Sequence, residues 1–559
     1  MASAARLAAG LAQRGLGGIV FSPGSRNAPL IQAFSPLGLP SAVALDERSA
    51  AHHALGMAQA LGQPVAVSCT SGTASLHHGP ALAEAHRVGL PLVSLTADRP
   101  AGAHDEWQSQ TMVQAGIHAT HVRADFTWDC PSDAAAVGLL DDMASAWAHG
   151  PIHVNCPFDT PLYPDAAHPQ AASGTPATAA PLASRPADNG DATVLIERLG
   201  QAIQKSERIL LLGGTQPAPL NPIDLRAWAK CAVLAGDSTS GMALDGLPVI
   251  TACDRWLAAW EASGKPWEDA RPDLIVTFGA PLLSRKLRAA LAQGGPDHFH
   301  IDAGGGAPQA FGDHGHNVPC NLSHALSSGA ACFAASTGDM AAETAAWTRA
   351  WWETETRLRD NHAATWSGAP WSDLQAHGIL HAAHPADWRL HLGNSTPVRY
   401  AQLFAGRSEG HPWSNRGVAG IDGCTSTALG SALAGFPTTL ITGELGFLYD
   451  ANAFHIHPLP SNLRVAVIHN GGGGIFRWLD GPERTGLAAS HFEWQHGTEL
   501  RPLCDLHGLI HEQVQDAEGL KAALRDWWAP SDAPKVLEVT TPGGESAAAY
   551  LRYMQAVQR

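Results

Sequence analysis

The sequence predicts an α/β protein built from three doubly wound, parallel-sheet domains. Short apolar runs of strand length alternate with amphipathic helical segments in three separate blocks of the chain. At 559 residues the chain is too long to fold around one hydrophobic core. Each block also carries apolar runs that end in loops of glycine and polar residues, which is where ligands bind in sheets of this kind.

The first block covers residues 1–165. Its opening MASAARLAAGLAQRGLGG lacks a long apolar core and reads as an amphipathic helix rather than a signal peptide. Strands are expected at 18–22, 41–45, 64–69 and 91–96. Two of the intervals hold ERSAAHHALGMAQALG, closed by Gly62, and ASLHHGPALAEAHRVG, closed by Gly89; both read as helices ending in a glycine cap. Residues 166–190 are rich in Ala, Pro, Ser and Thr without periodicity, and read as a linker. A central α/β domain follows at 191–345, with strand-like ERILLLGG, CAVLAG, DLIVTFGAPL and HFHIDAG. Residues 346–385 read as a helical or irregular connection, entered through a Trp- and Ala-rich helical passage. The last block, 386–559, opens on RLHLGNS and continues through TTLITGEL, LRVAVIHN and KVLEVTT.

Composition narrows the function. The 51 acidic against 35 basic residues leave a net charge of −16, which argues against nucleic acid or an anionic membrane as partner. Nine cysteines, scattered without a CxxC or a regular spacing, read as reduced thiols. No apolar stretch approaches the length needed to span a bilayer. These features lead us to expect a cytoplasmic protein acting on small molecules.

The chemistry concentrates in GELGFLYDANAF and LRVAVIHNGGGG. An expected strand at 438–442 ends at Gly443-Glu444, and another at 463–469 ends at Asn470, 26 positions after Glu444, followed by four glycines. A glycine cluster by itself reads more readily as a flexible turn. Two oxygen donors at strand ends beside a loop rich in free N–H and C=O groups suit a divalent cation bridging to a diphosphate.

With this pair in hand, the chain resembles the thiamine-diphosphate-dependent enzymes. NGGGGIF, SPGSRNAPL, TSGTASLHHGPALAEAHRVGLPLVSLTADRP and SNRGVAGIDGCTSTALGSALAG are similar to the branch that joins 2-oxoglutarate to isochorismate in menaquinone biosynthesis. The likeness spans nearly the whole chain and is weaker in the middle. It implies pyrimidine-binding, central and diphosphate-binding domains, thiamine diphosphate with Mg²⁺ or Mn²⁺ as cofactors, and a homodimer or homotetramer with active sites at subunit interfaces. Glu47, in ALDERSAAHHA, matches the glutamate that bonds the aminopyrimidine ring and so helps generate the reactive carbanion. Taken without the resemblance, it would be a carboxylate favoured by a helix N-terminus. Ile421 matches the apolar residue under the cofactor. Ser395, Gly443, Glu444, Leu445 and Asn470 match further cofactor positions, and Glu444, Asn470 and Gly472 the metal ligands.

Both implied substrates carry two carboxylates, which planar guanidinium forks bind well. The resemblance assigns Ser25, Arg26, Arg99, Gln110, Ser395, Arg399 and Arg416 to substrate, and Ile475, Phe476 and Leu479 to the apolar wall. In GAPLLSRKL it points to Arg285, with Lys286 the alternative register. Two positions depart from the family pattern. Glu444 stands where the family has Asp, and its extra methylene implies a weaker or altered metal preference; His469 replaces the first Asn of the usual pair, while Asn470, at the second place, keeps the side chain that should bind the metal. Another 2-oxoacid decarboxylase or acetolactate-type synthase remains an alternative, as does a descendant that keeps the fold without catalysis.

Overall fold

The computed structural model describes residues 2–100, 102–103, 108–129, 133–163, 190–243, 246–302, 311, 315–320, 322–335, 342–404, 410–479 and 481–556. The expected linker at 166–190 lies outside them, apart from Gly190, which opens the helix Gly190–Lys205. Three sheets of seven, six and five strands organise the chain.

In the first sheet Gly18–Phe21 lies between Ser41–Ala44 and Val65–Cys69, followed outward by Leu92–Asp98, Ile152–Pro157 and Ala124–Thr127, all parallel. Leu92–Asp98 is buried at every position, as a strand covered on both faces by helices must be. The seventh strand, Ile456–His457, comes from the far end of the chain and pairs antiparallel with Ser41–Ala44. The central sheet runs Gly315–Val318, Asp297–Ile301, Leu274–Phe278, Ile209–Gly213, Val233–Gly236, Val249–Ile250. The third runs Arg389–Leu392, Thr438–Gly443, Leu463–His469, Lys535–Thr540, Ile510–Val514. Residues 346–385 are mostly helical, through Ala342–Ser367 and Asp373–Ala383.

The first and third sheets share a core. The helix Glu47–Leu61 starts at Asp46, whose side chain accepts from the N–H of Arg48 and Ser49, and ends at Gly62 with φ 63°. It packs along Cys424–Leu433, with Ala50, Ala54 and Ala58 in one cluster with Ala428, Leu429 and Ala432. Backbone meets backbone here. A Cβ at Gly56 would overlap the Thr427 carbonyl oxygen, and one at Gly430 would overlap that of His53. Small residues on both helices are therefore what permits the approach.

Polar ties reinforce the junction. Glu84 accepts from the backbone N–H groups of Gly417 (2.7 Å) and Val418 (2.8 Å). Asn452 Nδ2 donates to Asp46 Oδ2 (2.7 Å), and Arg48 Nη2 to the Tyr449 carbonyl (3.0 Å). His411 reaches the central domain at the Gln216 carbonyl (2.9 Å), so residues 410–423 touch all three domains. The described cysteines are free. Among the described residues no helix is long and apolar enough to cross a membrane.

Candidate active site

Parallel pairing of Thr438–Gly443 with Leu463–His469, in register Gly443↔Ile468, brings the residues after both strands to one edge of the sheet. Gly443 is the N-cap of the helix Glu444–Tyr449, and Leu445, half-buried, lies in its first turn. Glu444 is 2% exposed, and its Oε1 accepts from the Gly472 N–H at 2.6 Å. Burial pushes its carboxyl up to about 7, with the Asp373 carboxylate adding to the rise and nearby N–H groups and His469 opposing it. Gly472 has φ 153°, and a Cβ there would meet the Glu493 carbonyl oxygen at 2.7 Å, so only glycine fits.

Asn470 Nδ2 donates to Asp373 Oδ2 (2.8 Å), while Thr541 and Ser546 hydroxyls donate to Asp373 Oδ1 (2.5 and 3.0 Å). This arrangement fixes the amide and leaves Asn470 Oδ1 buried with no protein partner. A buried acceptor without a donor is costly in the free protein and suited to a ligand that supplies the missing contact.

His469 faces Glu538 through Nδ1 at 2.7 Å; against an ionised carboxylate that nitrogen must carry the proton. The hydrogen bond to Glu538 raises its pKa, with burial opposing. His496 lies with its Nε2 3.7 Å from Glu444 Oε1 and its ring stacked 5.6 Å from that of His469. His496, Glu538 and Asp373 were not identified from sequence. None sits in a motif, and each reaches the site from a separate segment.

Glu47 is the first residue of its helix and half-buried; among the described residues its carboxylate makes no side-chain hydrogen bond. Ile421 precedes the partner helix and is 37% exposed, so it is no ordinary core isoleucine. It flanks Gly446 of the Glu444–Tyr449 helix: a Cβ there would lie 3.5 Å from the Ile421 carbonyl.

The expected substrate residues form two groups. Ser25 (exposed) and Arg26 follow the strand Gly18–Phe21, Ser71 follows Val65–Cys69, and Arg99 follows Leu92–Asp98, so three neighbouring strands end together. Arg26 is 8% exposed and donates to the Phe158 carbonyl (2.8 Å); burial first, then the Arg99 charge, lower its pKa. Arg99 donates to Gln108 Oε1 (3.3 Å). Gln110, exposed and at φ 63°, exchanges hydrogen bonds with Ser71.

The second group lies after Arg389–Leu392. Ser395 takes φ 73° beside Asn394, whose Oδ1 accepts from Arg416 Nη1 (2.9 Å). Burial, and secondarily Arg399, lower the Arg416 pKa, whereas Asp237 raises it. The Nε atoms of Arg99, Arg399 and Arg416 are buried without protein partners. Arg399 lines a cavity with Asp237, Asp254, Ser284 and Tyr550. Arg285 and Lys286 open the helix after Ser284, both exposed, and among the described residues no hydrogen bond or ion pair draws either into the two arginine groups. Ile475 and Phe476 are half-buried in the turn Gly474–Arg477, with Leu479 exposed just beyond it.

Residues 1–119 match the family model described as "Thiamine pyrophosphate enzyme, N-terminal TPP binding domain". The 2-succinyl-5-enolpyruvyl-6-hydroxy-3-cyclohexene-1-carboxylate synthase of Porphyromonas gingivalis is 35% identical, covering 96% of this chain and 93% of its own. The chain belongs to this synthase family. The synthase of Cytophaga hutchinsonii is 31% identical over 98% of both chains, and that of Halorubrum lacusprofundi 30% identical over 98% of this chain and 96% of its own. A crystal structure described as a thiamin diphosphate-dependent enzyme from Mycobacterium smegmatis superposes with a TM-score of 0.65. It covers 95% of this chain and 97% of that one at 18% identity, and so supports the fold. In the synthase family frame, the Gly471–Gly474 run and the unpartnered Asn470 Oδ1 suit a metal-bound diphosphate.

Proposed function

We propose that this protein, with thiamine diphosphate and Mg²⁺ or Mn²⁺, decarboxylates 2-oxoglutarate and adds the remaining four-carbon unit to isochorismate. The products are 2-succinyl-5-enolpyruvyl-6-hydroxy-3-cyclohexene-1-carboxylate and CO₂, an early step of menaquinone biosynthesis. It acts in the cytoplasm as a homodimer or homotetramer. Bound thiamine diphosphate supplies the carbon nucleophile and the electron sink that decarboxylation needs. Glu47 holds a proton at its carboxyl against the cofactor's aminopyrimidine nitrogen, and Ile421 gives the cofactor an apolar support. Glu444, Asn470 and Gly472 hold the diphosphate's metal ion. Ile475, Phe476 and Leu479 keep water from the reacting carbons.

Arg26, Arg99, Arg399 and Arg416, with Ser25, Gln110, Ser395 and Arg285, orient the carboxylates, so that binding energy far from the reacting atoms fixes their geometry. The observation that carries the dicarboxylate reading is the two arginine groups at strand ends, with three Nε atoms buried and unpartnered in a chain of net charge −16. A monocarboxylate substrate would not require both. The test is purified protein with thiamine diphosphate, Mg²⁺, 2-oxoglutarate and isochorismate. Isochorismate absorbance should fall with equimolar CO₂ release, and pyruvate in place of 2-oxoglutarate should give neither. Folded, cofactor-saturated protein without turnover overturns the proposal.

A further inference from the structure

Besides the oxygen donors expected of a magnesium site, this sheet edge presents two imidazoles. One ligand atom from each of Glu444, His469 and His496 lies within 4.8 Å of the others. In a tetrahedral site with metal–nitrogen bonds of about 2.0–2.1 Å, neighbouring ligand atoms sit about 3.3–3.4 Å apart. Glu444 Oε1 and His496 Nε2 are 3.7 Å apart, close to that spacing.

Two further observations separate this cluster from a chance grouping. The His496 side chain is 6% exposed, and its Nε2, directed at Glu444, is buried without a hydrogen-bond partner; Nδ1 accepts from the Thr498 N–H (3.2 Å), so binding a metal at Nε2 requires the ring proton to leave that nitrogen for Nδ1 and gives up this exposed bond. His469 gives Nδ1 to Glu538 at 2.7 Å, which leaves Nε2 as its metal-binding nitrogen. Glu538 is itself held by His511 Nε2 (2.8 Å) and Gln513 Nε2 (3.3 Å). A carboxylate behind the remote nitrogen of a histidine is the arrangement that orients metal-binding imidazoles and makes them better donors.

We propose that Glu444, His469 and His496 form a three-ligand N₂O site for a first-row transition ion of the Co²⁺/Zn²⁺ class, which the protein binds without a diphosphate. Imidazole suits such ions, whereas Mg²⁺ prefers oxygen ligands and gives up its water reluctantly. The fourth position stays open to water or to a phosphate oxygen. The site deepens the metal assignment made above, but its binding step needs neither substrate nor thiamine diphosphate.

The metal-free full-length protein, without thiamine diphosphate, is titrated calorimetrically with ZnCl₂ and MgCl₂, and spectroscopically with CoCl₂. Wild type should take up one Zn²⁺ at least tenfold more tightly than His496→Gln, and Co²⁺ should give visible d–d bands that the variant lacks. Mg²⁺ affinity should be the same in both proteins. Equal Zn²⁺ affinity in folded wild type and His496→Gln, or identical Co²⁺ spectra, overturns the proposal. Should His496→Gln fail to fold, His469→Gln is read by the same criteria. Failure of turnover in the preceding assay leaves this result untouched, because no substrate enters the titration.

Discussion

Individual side chains divide by whether the fold already uses them. The Glu47 carboxylate makes no hydrogen bond among the described residues and stands at a helix N-terminus, so Glu47→Gln should leave folding intact. Its kcat should drop at least ~100-fold, the usual scale for losing a positioned proton-transfer group. Thiamine diphosphate affinity, measured by calorimetry, should change far less than kcat. Arg26 and Arg99 differ in the same sense. Arg26 is buried and donates to the Phe158 carbonyl, whereas Arg99 makes a 3.3 Å side-chain bond to Gln108. Arg99→Ala should therefore raise the KM for a dicarboxylate while leaving the melting temperature nearly unchanged. Arg26→Ala should raise KM and lower the melting temperature as well; collapse of cofactor binding instead would place Arg26 in the scaffold and not at the substrate.

Among the elements, the contact between Glu47–Leu61 and Cys424–Leu433 carries the most consequence. Glu47 opens one of these helices, and Ile421 stands just ahead of the other. Their approach depends on Gly56 and Gly430, where the partner's carbonyl oxygen occupies the space of a side chain. Gly56→Ala should force the helices apart and destabilise the protein by about 1–3 kcal/mol, the cost of overpacking a close-packed interior. Thermal unfolding checks the loss. The added stability conferred by saturating thiamine diphosphate should shrink in the same variant. The sequence made both helices visible through their apolar periodicity and glycine caps. Which helix each would meet was not visible, because Ala and Gly pack equally well against many surfaces.

For the whole molecule, Glu84 ties the first domain to the third by accepting two backbone N–H groups, and burial pushes its carboxyl up to about 7. An acid whose pKa rises on folding is protonated in the folded chain while the unfolded chain is already ionised. Its effect on stability is absent below about 4.5 and grows unfavourable as pH climbs to about 7. Above that it is constant. Glu84→Gln removes this dependence but loses one acceptor at every pH. The difference in melting temperature, wild type minus Glu84→Gln, should thus fall between pH 4.5 and 7 and then level off. A flat difference across that range would mean that Glu84 stays ionised throughout.

Sequence alone determined the repeated α/β units and the strand ends where chemistry gathers. Strand and helix periodicity, glycine caps and the Glu444–Asn470 pair are properties of short stretches, governed by local backbone and side-chain preferences. Through the family resemblance it also pointed to Glu47, Ile421 and the arginines, whose motifs each occupy one loop. Only the tertiary structure decided that Ile456–His457 would join the first sheet, that Glu84 would hold the 417–418 backbone, and that His496 would stand beside Glu444. These contacts join residues distant in the chain, and what fixes them is packing of whole domains. A histidine in a polar loop looks the same in sequence whether it faces water or a buried carboxylate; the surroundings that separate the two exist only once the sheets are assembled.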